Sequence, residues 1–151
     1  EIGHSIDDQG SKYDELGKLH PWMNKIDLSN FEKKTHKLVT LFAKDGVDGK
    51  LTLGENIADF VGMQNAFQSA FPNKETESIE KKKEFFVQFA KVWCGVVQPK
   101  TKEYLLKNDP HSPIELRVNN QMKLSKKFEE TFSCRQGDVM TIPDEDRITL
   151  W

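Results

Sequence analysis

Several polar residues of the chain have types and spacings that suit metal-assisted hydrolysis. Glu1 and His4 form E-x-x-H, the second half of the helical motif H-E-x-x-H. In that motif two histidines four positions apart bind zinc, and the glutamate takes a proton from the zinc-bound water. Zinc lowers the pKa of that water to about 7, so hydroxide is available at neutral pH. E-x-x-H alone is common by chance, so other residues must decide the interpretation.

A second pair of acids lies in the stretch G-E-N-I-A-D. Glu55 and Asp59 are four positions apart, so a helix places both on one face. Apolar residues flank them, which indicates a largely buried helix, and buried carboxylates need a metal, a cation or several donors. One interpretation makes Glu55 a zinc ligand and Asp59 the acid that orients a ligand histidine. A helix cap or a buried salt bridge explains the same pattern without a metal.

A third group of candidate residues lies in and after the corner D-P-H-S-P. His111 stands between two prolines, which fixes its direction and suits a hydrogen-bond donor aimed at a substrate or transition-state oxygen. The commoner interpretation of such a residue is a loop histidine bonded to nearby backbone. Arg117 suits a clamp on a carboxylate or carbonyl, or a structural ion pair. We interpret His20 and His36 as surface or packing residues, and Lys81–Lys83 as a solvated helix face.

Helices are the elements that must position these residues, because the apolar spacing predicts an all-α chain in one piece. Helices are predicted over 28–45 (N-cap Ser29 or Asn30), 51–71 and 78–97, with shorter ones from about Pro113 and over 125–134. The predicted inward residues are Leu53, Ile57, Phe60, Val61 and Ala66 on the second helix and Phe85, Phe86, Phe89, Val92 and Trp93 on the third. Residues 5–27 are predicted to be irregular, 72–78 a loop, and 135–151 extended.

The length, the net charge and the distribution of apolar residues exclude several classes of function. The chain has 151 residues, enough for one domain with a sizeable core, and its formal net charge of -2 gives no reason to expect a nucleic-acid partner. No apolar run approaches the roughly 20 residues of a membrane span. Glu1 is not a natural start, so any targeting segment is expected upstream. Cys94 and Cys134 are compatible with buried thiols, one disulfide, or bonds to cysteines elsewhere.

Five stretches in one order carry a resemblance that the single motifs do not. EIGHSIDDQG, LTLGENIADFVG, FAKVWC, DPHSPIELRVNNQM and the closing aromatic Trp151 together resemble the neprilysin-like zinc metallopeptidases, family M13. The resemblance runs from Glu1 to Trp151. It implies the all-α C-terminal part of a thermolysin-like (gluzincin) catalytic domain, starting just after the first zinc histidine. It also implies a zinc-dependent endopeptidase that cleaves oligopeptides on the amino side of hydrophobic residues.

The resemblance assigns the metal and its acids by position. Glu1 matches the catalytic base that activates water, and His4 and Glu55 match two ligands of a single Zn²⁺. Asp59 matches the acid that supports the zinc histidines, and Asp7 matches a further acid near them.

The remaining roles concern the substrate. His111 matches the transition-state donor, and Arg117 matches the arginine that holds the substrate carbonyl and the geometry of the site. Val92 and Trp93 fall where the family lines its hydrophobic pocket for the residue after the cut bond. The partners implied are peptides, not nucleic acid.

The leading zinc histidine and everything upstream of it are absent from the sequence. We therefore expect residues 1–151 to be a fragment that is inactive by itself and whose missing partner is the N-terminal part of its own chain. Membrane contact is expected only through an upstream anchor, and the location implied is the extracellular face of the plasma membrane, or secretion. The rival function is a catalytically dead M13-like pseudoprotease that serves as a peptide-binding or structural ectodomain. The residue before Glu1 discriminates between the two.

The cysteines carry a separate expectation from the same resemblance. In the family, cysteines at the positions of Cys94 and Cys134 bond to cysteines near the start of the ectodomain, so both thiols are expected to be free in this chain. A Cys94–Cys134 bond is the alternative. Many relatives end in C-x-x-W, whereas this chain ends in RITLW without that cysteine.

Overall fold

The computed structural model describes residues 1–73 and 78–150, and helices dominate it. In these residues the α-helices are α1 (Lys25–Lys44), α2 (Leu53–Ala70), α3 (Ile79–Val92), α4 (Pro99–Asn108), α5 (Ile114–Leu124) and α6 (Lys126–Phe132). Short 3₁₀ turns cover Ile2–Ile6, Gly10–Lys12 and Asp144–Asp146. This part of the chain contains no β-strand, only an isolated bridge between Tyr13 and Leu19. The predicted all-α class is confirmed. Part of the loop predicted over 72–78, and Trp151, lie outside the described residues.

The first helix begins earlier than its apolar spacing indicates. The predicted N-cap, Ser29 or Asn30, is wrong, because the side chain of Asn24 accepts hydrogen bonds from the backbone N–H groups of Ile26 and Asp27, both at 2.9 Å. Near the other end of α1, Gly46 adopts a left-handed φ of 79°, which suits the reversal of the chain there.

Helix α4 is not predicted by the hydrophobic pattern. It starts with Pro99 in its first turn, a favourable position for proline, but it buries none of its residues. A helix without a buried stripe leaves no apolar period to detect.

Two apolar clusters form the core, and α2 contributes to both. The first joins α1, α2 and the C-terminal segment that follows α6. Its buried members include Leu38, Phe42, Ile57, Phe60, Ile148 and Leu150. The second joins α2, α3, α5 and α6 through Met63, Phe67, Phe71, Phe86, Met122 and Phe128. The inward assignment of Ala66 is wrong, because that residue is exposed while Met63 and Phe67 take the core positions. Helix α2 is therefore the element around which the others are arranged.

Two further findings concern the cysteines and the possibility of a membrane-spanning helix. Cys94 is exposed and Cys134 is half-buried, and the two are not bonded to each other. Across residues 1–73 and 78–150, none of the helices combines the length and the apolar character needed to span a bilayer.

Candidate active site

Helix α2 presents one acid to a cleft and buries the next residue. Glu55 lies in the first turn of α2, with its side chain 19% exposed, whereas Asn56 is 1% exposed. Successive residues of a helix are rotated by about 100°, so two neighbours can serve the cleft and the core respectively.

The 3₁₀ turn that carries His4 rests directly on the backbone of α2. A Cβ atom added to Gly3 would lie 2.8 Å from Cα of Ala58 and 2.9 Å from its carbonyl oxygen. Glycine alone permits so close an approach. The approach places Nε2 of His4 3.5 Å from Oε2 of Glu55.

A buried acid fixes the orientation of the His4 ring. Nδ1 of His4 lies 2.7 Å from Oδ2 of Asp7, which is 5% exposed. The other oxygen of Asp7 accepts from the backbone N–H groups of Gln9 at 2.8 Å and Gly10 at 2.7 Å. The hydrogen bond to Asp7 raises the pKa of His4 above its ordinary value of 6.5. It also turns Nε2 of His4 towards Glu55, as a metal-binding histidine requires.

His111 approaches the same carboxylate from the corner between α4 and α5. Its Nε2 lies 3.1 Å from Oε2 of Glu55, and its Nδ1 lies 2.7 Å from Oδ1 of Asp109. The same oxygen of Asp109 accepts from the backbone N–H of His111 at 2.7 Å. These bonds, the backbone one first, hold the pKa of Asp109 below its ordinary value. The ring is therefore bonded to the Asp109 side chain on one side and lies close to the Glu55 carboxylate on the other.

Asp59 and Arg117 pair with each other. Nε and Nη2 of Arg117 donate to the two oxygens of Asp59, both at 2.7 Å, and the side chains are only 13% and 12% exposed. The guanidinium also lies 3.9 Å from the centre of the Trp93 ring. Of the interpretations left open by the sequence, this geometry corresponds to the buried salt bridge for Asp59 and the structural ion pair for Arg117.

All but two of the site residues predicted from the sequence line one open cleft of 580 Å³. They are Glu1, His4, Glu55, Asp59, Trp93, His111 and Arg117. Asp7 lies behind His4, and Val92 is 78% exposed and does not line the cleft. Phe89 and Met63 join Trp93 among the apolar residues of its wall.

Two residues that contribute to this geometry were not predicted. Asp109 holds the His111 ring, and its position two residues before a proline-bounded histidine is a signal that could have identified it. Gly3 permits the approach of the 3₁₀ turn to α2, and no pattern in the sequence marks it.

The donors at the mouth of the cleft fit part of a zinc site. Within residues 1–73 and 78–150, no group of three or more His, Cys, Asp and Glu side chains is arranged to hold a metal ion. His4 Nε2 and Glu55 Oε2 are 3.5 Å apart. Two neighbouring ligands of tetrahedral zinc, each about 2.0–2.2 Å from the ion, lie roughly 3.4 Å from each other. The pair therefore suits two positions of the coordination sphere.

The chain matches known proteins over its whole length. A family model described as peptidase family M13 matches residues 1–148. Neprilysin-1 of Caenorhabditis elegans is 37% identical over 169 residues, which cover 100% of this chain and 22% of that protein.

Two solved structures share the fold. The crystal structure of PEPO from Lactobacillus rhamnosis HN001 (DR20) matches with a TM-score of 0.91 at 30% identity, covering 100% of this chain and 24% of that one. The zinc metalloprotease ZMP1 of Mycobacterium tuberculosis, in complex with an inhibitor, matches with a TM-score of 0.91 at 28% identity, covering 100% of this chain and 26% of that one. The chain thus spans about a quarter or less of the length of these relatives.

Proposed function

The chain belongs to peptidase family M13, and from this premise we propose that it supplies the zinc-binding and water-activating wall of a zinc-dependent endopeptidase. The observation that carries the proposal is the 3.5 Å separation of His4 Nε2 and Glu55 Oε2, with Asp7 bonded behind His4. In zinc sites the ring nitrogen of a ligand histidine that does not bind the metal is typically hydrogen-bonded to a carboxylate, as Nδ1 of His4 is to Asp7.

Each residue has a distinct task in the proposed reaction. His4 and Glu55 would hold the ion, which would supply Lewis-acid chemistry to the substrate carbonyl and the attacking water. Glu1 would take a proton from that water. His111 donates from Nε2 to the oxygen on which negative charge develops, and Asp109 keeps its ring in that orientation.

Arg117 and Trp93 form the substrate side of the cleft in this proposal. Asp59 and the Trp93 ring hold the Arg117 guanidinium at a fixed place, from which its remaining N–H groups can reach a substrate carbonyl. The apolar wall at Met63, Phe89 and Trp93 supports a preference for a hydrophobic side chain after the cut bond.

The third zinc ligand is proposed to come from outside residues 1–151, which would form the C-terminal portion of an M13 catalytic domain in a longer polypeptide. The coverage of only 22% of neprilysin-1 supports this view. The longer protein is proposed to act on peptides outside the cell, anchored or secreted, with Cys94 and Cys134 bonded to upstream cysteines.

Zinc binding by the 151-residue chain tests the ligand assignment. Equilibrium dialysis with metal analysis is expected to find weak binding of one zinc ion, which Glu55→Ala and His4→Ala abolish. His36→Ala removes an exposed histidine of α1 and is the matched control, expected to bind like the unmodified chain. Unchanged zinc binding in Glu55→Ala would remove Glu55 from the site.

Glu1→Gln separates the base from the ligands. The variant is expected to keep zinc, because the side chain is not a proposed ligand, and to lose peptide hydrolysis in the longer polypeptide. A longer polypeptide that binds no zinc and still binds peptides would favour the pseudoprotease instead. By itself the 151-residue chain is expected to turn over no peptide, and zinc-dependent turnover would contradict the need for a third ligand.

A further inference from the structure

A buried hydrogen bond runs behind the contact between Glu55 and His111. Ser112, the residue after His111, donates its hydroxyl to Oδ1 of Asn56, the residue after Glu55, at 2.8 Å. Ser112 is 4% exposed and Asn56 is 1% exposed. The neighbours Glu55 and Asn56 therefore meet the neighbours His111 and Ser112 at two places. Glu55 meets His111 at the cleft, and Asn56 meets Ser112 in the core.

The buried bond is the stronger constraint of the two. The side chain of His111 is 46% exposed, so water competes for its ring and the contact with Glu55 contributes little by itself. The acceptor on Asn56 is shielded from water, and a buried acceptor that loses its donor is not compensated by solvent. The corner that carries His111 is thus held chiefly by Ser112.

Asn56 is also fixed by its other polar groups. Its side-chain Nδ2 donates to Oγ1 of Thr52 at 3.0 Å, and its main-chain carbonyl oxygen accepts from Nε2 of Gln121 on α5 at 3.1 Å. Thr52 and Gln121 are themselves buried, at 2% and 0% exposure. The side chain of Asn56 cannot turn away from Ser112 without also losing its bond to Thr52, and the Gln121 bond holds the main chain of α2 at the same residue.

We propose that Asn56 and Ser112 are positioning residues that hold His111 above Glu55, an inference that rests on the role proposed for His111. Neither side chain lines the cleft. Each acts through the backbone of the residue next to it: Asn56 sets the place of Glu55, and Ser112 sets the place of His111.

Nuclear magnetic resonance of the imidazole rings tests this proposal without metal or substrate. The chain is labelled with ¹⁵N and ¹³C in histidine only, and the ring signals of His111 are identified by their loss in His111→Gln. At one fixed neutral pH, Ser112→Ala is expected to shift the His111 signals, because the ring moves away from the Glu55 carboxylate while it keeps its bond to Asp109. The His4 signals are expected to stay in place, because Asp7 holds that ring independently.

Ser125→Ala is the matched control. Ser125 is 6% exposed and its hydroxyl accepts from the backbone N–H of Phe128 at the start of α6, so this variant also removes a buried serine hydroxyl. It is expected to leave the His111 signals unmoved. Ser112→Cys, which is nearly isosteric but a weaker donor, is expected to give an intermediate shift and decides the question if Ser112→Ala does not fold.

The proposal is overturned if neither Ser112 variant moves the His111 signals, or if Ser125→Ala moves them equally. Because the spectra are recorded without metal, they are independent of zinc binding. Zinc binding lost in Glu55→Ala, together with an unmoved His111 signal in Ser112→Ala, contradicts this inference alone. A displaced His111 signal with no zinc binding by the unmodified chain contradicts the proposed function alone.

Discussion

The two ends of α2 are packed by different kinds of contact. Near its start, α2 meets α5 and the corner before it across a polar interface, which we define as Asn56, Ser112 and Gln121. Near its other end, α2 meets α3 and α6 across an aromatic end, which we define by its stacked and edge-to-face rings: Phe67, Phe71, Phe85, Phe86 and Phe128. The cleft lies beside the polar interface.

The two interfaces are expected to serve different purposes, one mainly the stability of the fold and the other mainly the geometry of the site. Rings bury large apolar areas, and the hydrophobic effect is proportional to area and has no direction, so the aromatic end is expected to supply much of the stabilising free energy. A buried hydrogen bond contributes only about 0.5–1.5 kcal/mol net, but it fixes distance and direction. The polar interface is also incompletely satisfied, because Gln121 Oε1 finds no hydrogen-bond partner among the described residues. We infer that this side holds the geometry of the site at some expense of stability.

The largest expected effect lies at the aromatic end. Phe86→Ala removes a ring that is 1% exposed and lies 5.2 Å from Phe67 and 5.3 Å from Phe128, centre to centre. It is expected to lower the free energy of unfolding by about 3–5 kcal/mol in urea denaturation. Val87→Ala, on the exposed side of the same helix, is the control and is expected to change it by less than about 0.5 kcal/mol. A loss near 1 kcal/mol for Phe86→Ala would end the distinction between the two ends.

The next effect concerns the ion pair at the cleft. Asp59→Ala leaves the largely buried Arg117 guanidinium without its carboxylate and is expected to cost about 2–3 kcal/mol of unfolding free energy. Arg117→Met removes the charge as well, so the double variant is expected to lose less than the sum of the two single losses. Additive losses in this double-mutant cycle would mean that the pair does not couple α2 to α5.

A smaller effect is expected inside the polar interface. Gln121→Met loses the hydrogen bond to the carbonyl of Asn56 but also removes the unpartnered Oε1, at similar volume. The two contributions oppose each other, so the unfolding free energy is expected to change by less than about 1 kcal/mol in either direction. Gln121→Ala also leaves a cavity and is expected to cost more. A loss for Gln121→Met as large as that for Phe86→Ala would show the polar interface to be a major source of stability.

The smallest effect depends on pH. Asp7 raises the pKa of His4 above 6.5, so protonated His4 is favoured in the folded chain relative to the unfolded one. The resulting stability is fully present below about pH 6.5 and is lost as the pH rises through the raised pKa. Asp7→Asn is expected to remove most of this dependence, a change under about 1 kcal/mol because His4 is partly exposed.

Urea titrations at several pH values measure this change. The difference in unfolding free energy between the unmodified chain and Asp7→Asn is expected to be largest below pH 6.5 and to shrink above it. His4→Gln in either background removes the titrating group and serves as the control. A difference that does not vary with pH would assign the Asp7 contribution to its backbone hydrogen bonds instead.

The fold was predictable where local signals and burial coincide. Helix α2 is rich in apolar residues, and α3 has an apolar stripe, although it ends at Val92 and not at the predicted residue 97. Helices α5 and α6 directly follow Pro113 and Ser125, residues suited to helix starts. Helix α1 begins at a cap, Asn24, that precedes the apolar stripe, and α4 has no buried residue. Their bounds depend on hydrogen bonds that hydrophobic periodicity does not report.

The sequence predicted which residues line the candidate site, but not which of them form bonds with each other. Spacing along α2 predicted that Glu55 and Asp59 share a face, and both line the cleft. The partner of Asp59 is Arg117, 58 residues away, and the packing of α5 on α2 brings the two together. The exposure of Val92 likewise follows from where α3 ends, one residue before Trp93 turns towards Arg117.

Gly3 has a consequence for how substitutions in this protein should be interpreted. Any side chain at this position meets the backbone of Ala58, so the 3₁₀ turn would have to lift away and carry His4 from Glu55. In a saturation mutagenesis screen for zinc binding, position 3 is therefore expected to tolerate no other residue, although its own atoms contact no ligand. A screen of this kind would identify it as part of the metal site, and a map of side-chain contacts would omit it, because what it contributes is the space that it leaves empty.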